Sequence, residues 1–306
     1  MKRFTSRLRT SIVALCGTFL FGTLAVRADT IFASVVTNDN IRSFETSGAD
    51  HGIFANSPGT PTGLSLDISG HLYVANSNGN TVRRFSPTGV ALGIFANTGL
   101  NGPTALAFDL SGNLYVSNGD NNSIRKFSAT GVDLGYFVAP NTGLNNPQGI
   151  AFDVSGNLYV ASPGGGATPT FAVERFSPTG TYLGVFATTS GSPLGLAFDA
   201  SGNLYVTDYE KVAKFSAAGV DLGVFTNTPL LTAIAFDSVG NLYGTTVSDG
   251  IKKFSPTGAD LGSIATGGQL GGPSNGIVIL VPEPSTGLLL FSGVAMSLVA
   301  FTRKRK

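Results

Sequence analysis

Five aspartates recur in one short context, and repeated carboxylates are the first residues to test for chemistry. Asp67, Asp109, Asp153, Asp199 and Asp237 each open a stretch of the form Asp-x-Ser-Gly-Asn or a near variant. An array of carboxylates at fixed spacing could hold calcium, which takes about six to eight oxygen ligands. Each stretch carries a single carboxylate, however, and Asp, Ser, Gly and Asn together are the ingredients of a tight turn. The aspartates are therefore expected to form turns, not to bind metal. The two histidines make no stronger case. His71 occupies the turn position of Asn113, Asn157, Asn203 and Asn241, and His51 stands where other copies have Leu92, Leu134, Leu183, Leu222 and Leu261. Neither pairs with a nucleophile, so no Ser-His-Asp hydrolase or His-rich metal site is expected, and no catalytic residue, metal ligand or cofactor is assigned. Polar groups collect instead where the copies differ most. Asn118, Asp120, Asp208, Glu210 and Asp249 lie in variable connections and form the candidate ligand-binding face. Variable loops on a rigid scaffold are the usual place for binding groups.

The scaffold that positions these residues is a repeat. Asp109-Leu110-Ser111-Gly112-Asn113-Leu114-Tyr115-Val116 returns with small changes from Asp67, Asp153, Asp199 and Asp237, at intervals of 38 to 46 residues. Each copy runs on to Phe-Ser-Pro-Thr-Gly or a variant, at Phe85, Phe127, Phe176, Phe215 and Phe254, and then to a segment like Val132 to Phe137. A period near 43 residues with four strand-like segments is the size of a propeller blade. Strand a is the apolar run before the aspartate, such as Ala105-Leu106-Ala107-Phe108, and strand b is Leu114-Tyr115-Val116. Strand c is Ser123 to Phe127, alternating apolar and polar, and strand d is Leu134 to Phe137.

Full sets of the four strands begin near residues 62, 104, 148, 194 and 232. Ahead of them, Ile31 to Val36, Ile41 to Phe44 and His51 to Phe54 match strands b, c and d with no strand a before them. Behind them, Gly272 to Ile279 matches a strand a with nothing after it. One end supplies what the other lacks. The fold class is thus expected to be all-β, a six-bladed propeller whose sixth blade is closed by a C-terminal strand a pairing with N-terminal strands b to d. Deleting residues 270–280 should then destabilise the ring, whereas deleting 281–306 should not.

Asn146-Pro147-Gln148-Gly149-Ile150-Ala151-Phe152-Asp153, followed by Gly156-Asn157-Leu158-Tyr159-Val160, resembles the blade consensus of the NHL family. The resemblance covers about residues 31 to 280 and implies a six-bladed propeller. That family spans binding modules and enzymes, so the fold alone does not give the function. The absence of tryptophan disfavours WD repeats, and the lack of a recurring Gly-Gly disfavours kelch repeats.

The two ends of the chain are of a different kind. Residues 1–28 read as an export signal, with Lys2, Arg3, Arg7 and Arg9 before the apolar stretch Ile12 to Leu24 and a small-residue pattern at Val26-Arg27-Ala28. Cleavage between Ala28 and Asp29 would remove the only cysteine, Cys16, leaving a chain without disulfides or thiol chemistry. Residues 29–280 form the propeller and 281–306 the tail. The tail holds Pro282-Glu283-Pro284, an apolar run from Gly287 to Phe301 and a basic end at Arg303-Lys304-Arg305-Lys306. Such a run can barely span a bilayer as a helix, with its basic end cytoplasmic and the body outside. The order of these three parts resembles the PEP-CTERM sorting signal of Gram-negative bacteria. That resemblance implies recognition by an exosortase, cleavage near the motif, transient anchoring in the inner membrane, and delivery to the cell surface or extracellular matrix.

With the basic ends set aside, the body is acidic, holding ten Lys and Arg against seventeen Asp and Glu. Nucleic acid is excluded as a partner on that ground, because phosphate neutralisation needs clustered bases. The expected protein is a monomeric, exported propeller that acts as a binding or scaffold module, with a matrix polysaccharide or an envelope protein as its partner. The alternative is an enzyme similar to lactonase-type or lyase-type propellers. The lactonase resemblance would imply a divalent metal held on the axis by carboxylates and amides from several blades. Here the strand a positions are mostly Ala, Leu, Ile, Gly and Thr, with Gln148 and Asn275 the only notable amides and no glutamate.

Overall fold

The computed structural model of the chain describes residues 29–164, 171–248, 250–270, 272 and 274–281. Three strands come first: β1 (Thr30–Val35), β2 (Asn40–Glu45) and β3 (Asp50–Asn56). Blade 1 is β4 (Pro61–Leu66), β5 (Leu72–Asn76), β6 (Thr81–Phe85) and β7 (Ala91–Ala96), and blade 2 is β8 (Pro103–Phe108), β9 (Leu114–Asn118), β10 (Ser123–Phe127) and β11 (Asp133–Val138). Blade 3 is β12 (Ile150–Phe152), β13 (Leu158–Ser162), β14 (Ala172–Phe176) and β15 (Tyr182–Thr188). Blade 4 is β16 (Leu196–Phe198), β17 (Leu204–Thr207), β18 (Val212–Phe215) and β19 (Asp221–Thr226). Blade 5 is β20 (Leu231–Phe236), β21 (Leu242–Thr246), β22 (Ile251–Phe254) and β23 (Asp260–Ala265), and β24 (Ile277–Leu280) ends the series. Each blade is a four-stranded antiparallel sheet in sequence order, except that the sixth runs β24-β1-β2-β3. The ring therefore closes as the incomplete sets at the two ends of the sequence require. Thr30 pairs with Leu280, Ile31 with Ile279, Phe32 with Val278 and Ala33 with Ile277.

Burial peaks in the b strands and falls toward the rim. The b strands Leu-Tyr-Val are buried at every position because both faces of an inner strand meet neighbouring blades. The outer d strands expose most of their residues and are edge strands. An edge offers unpaired backbone groups to other chains unless it is blunted. Here every d strand is kinked by register shifts against its c strand, with a glycine at positive φ in the bulge, as at Gly135 (φ 92°).

Adjacent blades lock through a repeated aromatic contact. Tyr115 packs edge-on between Phe137 of its own blade and Phe152 of the next, with both centroids 4.8 Å away. Tyr73, Tyr159 and Tyr205 do the same with their own pairs of phenylalanines. Edge-to-face pairs of this kind stabilise by about 0.5–1.5 kcal/mol beyond their buried area. Nearest the axis, the a strands approach too closely for side chains at some positions. A Cβ on Gly63 would lie 2.5 Å from the Ala105 Cα of the next blade, and one on Gly276 would overlap the Thr62 carbonyl oxygen.

Candidate functional site

The five repeated aspartates lie in the a–b turns at one end of the blades. Asp109 Oδ1 accepts hydrogen bonds from the amides of Ser111 and Asn113, both at 2.9 Å, while Oδ2 accepts from Asn113 Nδ2 at 2.8 Å and Tyr115 Oη at 3.2 Å. Asp153, Asp199 and Asp237 repeat this set, and in the first copy His71 Nδ1 replaces the asparagine amide, 3.0 Å from Asp67 Oδ2. Burial works against ionisation of Asp109, but the bonds from Asn113 and Ser111 outweigh it and hold the carboxyl below its ordinary range. These acceptors are consumed by their own turns, which is the turn-forming role that their residue types indicate. His51 is equally local, its Nε2 lying 3.4 Å from Glu45 Oε1.

The opposite end carries a cavity of about 450 Å³ on the propeller axis. Each blade contributes one strand a triplet to its wall: Thr62-Gly63-Leu64, Thr104-Ala105-Leu106, Gln148-Gly149-Ile150, Leu194-Gly195-Leu196, Thr232-Ala233-Ile234 and Asn275-Gly276-Ile277. Leu or Ile in the third position of every triplet is largely buried between blades, so the wall is narrow and partly apolar. The threonines are used internally. Thr62, Thr104 and Thr232 each donate to a carbonyl of the next blade, at Pro103 (2.9 Å), Pro147 (2.7 Å) and Ser274 (2.7 Å). Blades 3 and 6 break this pattern with amides. Gln148 Nε2 donates to Asn146 Oδ1 at 2.9 Å, whereas the exposed Asn275 side chain has no partner among the described residues.

The mouth is shaped by the b–c and d–a connections, as propeller connectivity requires. Of the five residues of the candidate face, Asn118 and Asp208 are fully buried. The Asn118 side chain accepts from the Asn101 amide and donates to Ser123 Oγ, and Asp208 accepts from the amides of Glu210 and Lys211 and from Ser190 Oγ. What they contribute to this face is the shape of its loops. Asp120 and Glu210 are exposed; Asp120 lines the cavity with no side-chain partner among the described residues. Asp249 lies outside the described residues, as do Ala28 and the motif residues Pro282, Glu283 and Pro284.

A residue that sequence patterns do not single out stands beside them. Tyr209 also lines the cavity, exposed, at φ 66°. A bulky residue in left-handed backbone is strained and persists only where its surroundings hold it. Asp208 fixes the turn from one side, and the Leu230 amide donates to the Tyr209 carbonyl at 2.7 Å from the other. The sequence carried only a hint, the short Asp208-Tyr209-Glu210 connection where blades 1 and 2 use asparagines.

A divalent ion on the axis would require several carboxylate or imidazole donors. Among the described residues no three His, Cys, Asp or Glu side chains come together as such a set. Asp120 is the one carboxylate among the described residues that line the cavity. The donor chemistry present does not fit a carboxylate-held metal.

No family model matches the chain, and no curated protein does. Solved structures do. A chain of a nidogen/laminin complex is similar with a TM-score of 0.73 at 21% identity, covering 83% of this chain and 98% of that one. A gluconolactonase from Xanthomonas campestris gives 0.60 at 20% identity over 71% of this chain and 78% of its own. A protein of unknown function from Bacteroides caccae gives 0.65 at 14%, over 83% and 99%. At these identities the likeness is one of fold, and it spans a protein-binding complex and an enzyme alike.

Proposed function

We propose that the protein is an exported binding module that takes a neutral, hydroxyl-rich ligand, a segment of extracellular glycan, at the mouth of the axial cavity. The observation that carries this reading is the company around the strained Tyr209. An exposed aromatic face suits the C–H face of a sugar, and the amides of Gln148 and Asn275 both donate and accept, as hydroxyl groups do. Asp120 adds a free carboxylate that can accept from two adjacent hydroxyls. A cavity of about 450 Å³ lies within the range of small-ligand sites and is large enough for one or two sugar rings. No step of lactone or lyase chemistry is assigned, since among the described residues the axis offers neither the metal donors nor a paired acid and base.

The tail completes this reading. The Pro282-Glu283-Pro284 motif, the apolar run and the basic end support export, recognition by an exosortase-type enzyme and retention at the cell surface or in the matrix. The binding half is tested by titrating matrix polysaccharides and their oligosaccharides into the purified chain by calorimetry. Y209A should weaken binding about tenfold or more, the size expected when one central aromatic contact is lost, with its melting temperature unchanged. Equal affinity of Y209A and the parent chain, or no glycan bound at all, would overturn it. The sorting half is tested by expressing the chain with and without residues 281–306 beside an exosortase and following its release and size.

A further inference from the structure

The two faces of the disc differ in kind. The face bearing the cavity carries Asp39, Asp120, Glu210 and a series of asparagines in its loops. The opposite face is built from a–b turns and c–d turns whose outermost tips hold Ile, Leu, Val, Ala, Ser, Thr, Pro and Gly, with the nearest exposed carboxylates, Asp50, Asp221 and Asp260, set back at the first position of the d strands. The aspartates of the a–b turns are folded inward onto their own amides, which leaves the one or two residues after each of them outermost. Ile68, Leu110 and Val154 are 106%, 92% and 94% exposed, and Val239 is 72% exposed. Val90, Val132 and Val220 form a second set in the c–d turns, each about 60% exposed (61%, 59% and 61%). Single exposed aliphatics are ordinary, but a repeated set at the outermost points of one face marks a contact surface.

Both ends of the described chain reach this same face. Asp29 Oδ2 accepts from the amide of Ser238 in an a–b turn. Leu280 lies beside another such turn, its Cδ1 being 3.9 Å from where a Cβ on Gly70 would sit. The next residues are Val281, a short Pro-Glu-Pro-Ser-Thr connection and the apolar run from Gly287. Six residues reach at most roughly 20 Å when fully extended. Once that run is in a bilayer, the interfacial layer takes up several ångströms of this reach, so the face is held close to the lipid at high effective concentration.

We infer that the a–b and c–d turn face is a membrane-contact face, with Ile68, Leu110, Val154 and Val239 entering the interfacial layer of a lipid bilayer and the axial cavity opening away from it. This rests on reading residues 281–306 as a membrane tail. Neutral, aliphatic tips enter an interface shallowly without desolvating the carboxylates set back in the d strands, whereas the cavity face carries its carboxylates in its loops.

The chain contains no tryptophan, so single tryptophans report their own surroundings. The full chain carrying L110W, V154W or, on the cavity face, E210W is reconstituted into phosphatidylcholine vesicles with and without brominated acyl chains. Position 110 tolerates the change, because Ile, Leu, Val, Ala and Ser all occur there among the five turns. The vesicles should float with protein attached. L110W and V154W should shift to the blue and lose most of their emission to the brominated lipid, while E210W keeps its own. Flotation with equal emission from all three overturns the membrane-contact face and leaves the tail reading standing. A blue shift at L110W without quenching places a second copy on this face, and also overturns it. Failure to float overturns both.

Discussion

One carboxylate organises each a–b turn by accepting four hydrogen bonds from within seven residues of chain. Its negative charge makes those bonds stronger than neutral ones. D109N keeps the shape of the side chain but removes the charge and turns one acceptor into a donor facing Asn113 Nδ2 and Tyr115 Oη. It should cost about 2–3 kcal/mol and lower the melting temperature by roughly 5–10 °C, measured by calorimetry. The ionisable groups also fix how stability depends on pH. Asp109 and Asp199 work against burial, but their hydrogen bonds hold them below the ordinary value of 3.8, so their contribution is present above that value and is lost as pH falls through the lower folded one. The tyrosines run the other way. Burial, aided by Glu174, pushes Tyr182 from 10.0 up to about 12, and burial raises Tyr73, Tyr115, Tyr159, Tyr205 and Tyr243 as well. Their contribution is complete below pH 10 and declines as pH rises through the folded values. Melting temperature should therefore be flat between about pH 5 and 9 and fall on both sides, and a steady rise above pH 10 would contradict this. The turn role of the aspartates was legible in the sequence because Ser, Gly and Asn travel with them. Tyr209 was not, because a positive φ on a non-glycine residue leaves no compositional mark.

At the scale of elements, the a strands are the most constrained parts of the fold. Gly63, Gly149, Gly195 and Gly276 sit where the next blade's backbone would meet a side chain. G276A forces its methyl group into the Thr62 carbonyl and should cost about 3 kcal/mol, lowering the melting temperature by roughly 6–12 °C. G268A, where a Cβ would have no neighbour within 4 Å, should leave it unchanged. The period, the order of the strands and the alternation of strand c could be read directly from the sequence. The glycines of the a strands read only as breaks in an apolar run, since what they accommodate comes from a blade some 40 residues away. The assignment of Asn118 to a surface had the same root, since burial of a loop residue depends on what folds over it.

At the scale of the molecule, the closing of the ring follows from arithmetic on incomplete blades, and the pairing of β24 with β1 supplies the missing inner strand, over Ile277–Leu280 where the sequence pattern suggests Gly272 to Ile279. Removing residues 270–280 would strip β1 of its inner partner and expose Ile31 and Ala33 of the core around them. That truncation should lower the melting temperature by roughly 10 °C or more, a loss of about 3 kcal/mol or greater, whereas removing 281–306 should not change it. Identical melting of the two truncated chains would show that closure contributes little to stability. Which face carries the variable loops also followed from strand connectivity. The apolar tips of the other face were visible as Ile68, Leu110, Val154 and Ala200 after four of the aspartates and Val239 two places after the fifth, but only the inward folding of the aspartates reveals them as the outermost atoms.

The β24–β1 pairing has a mechanical consequence. A pull on residue 281 normal to the disc acts along the axis of β24, because that strand runs from the cavity face to the turn face before the chain leaves. Such a load slides β24 against β1 and strains the rungs at Thr30, Ile31, Phe32 and Ala33 together. A sideways pull would instead open them one after another from Leu280. The ring thus resists a pull along its axis at residue 281 far better than a sideways peel, and its clasp is strongest against load normal to the disc.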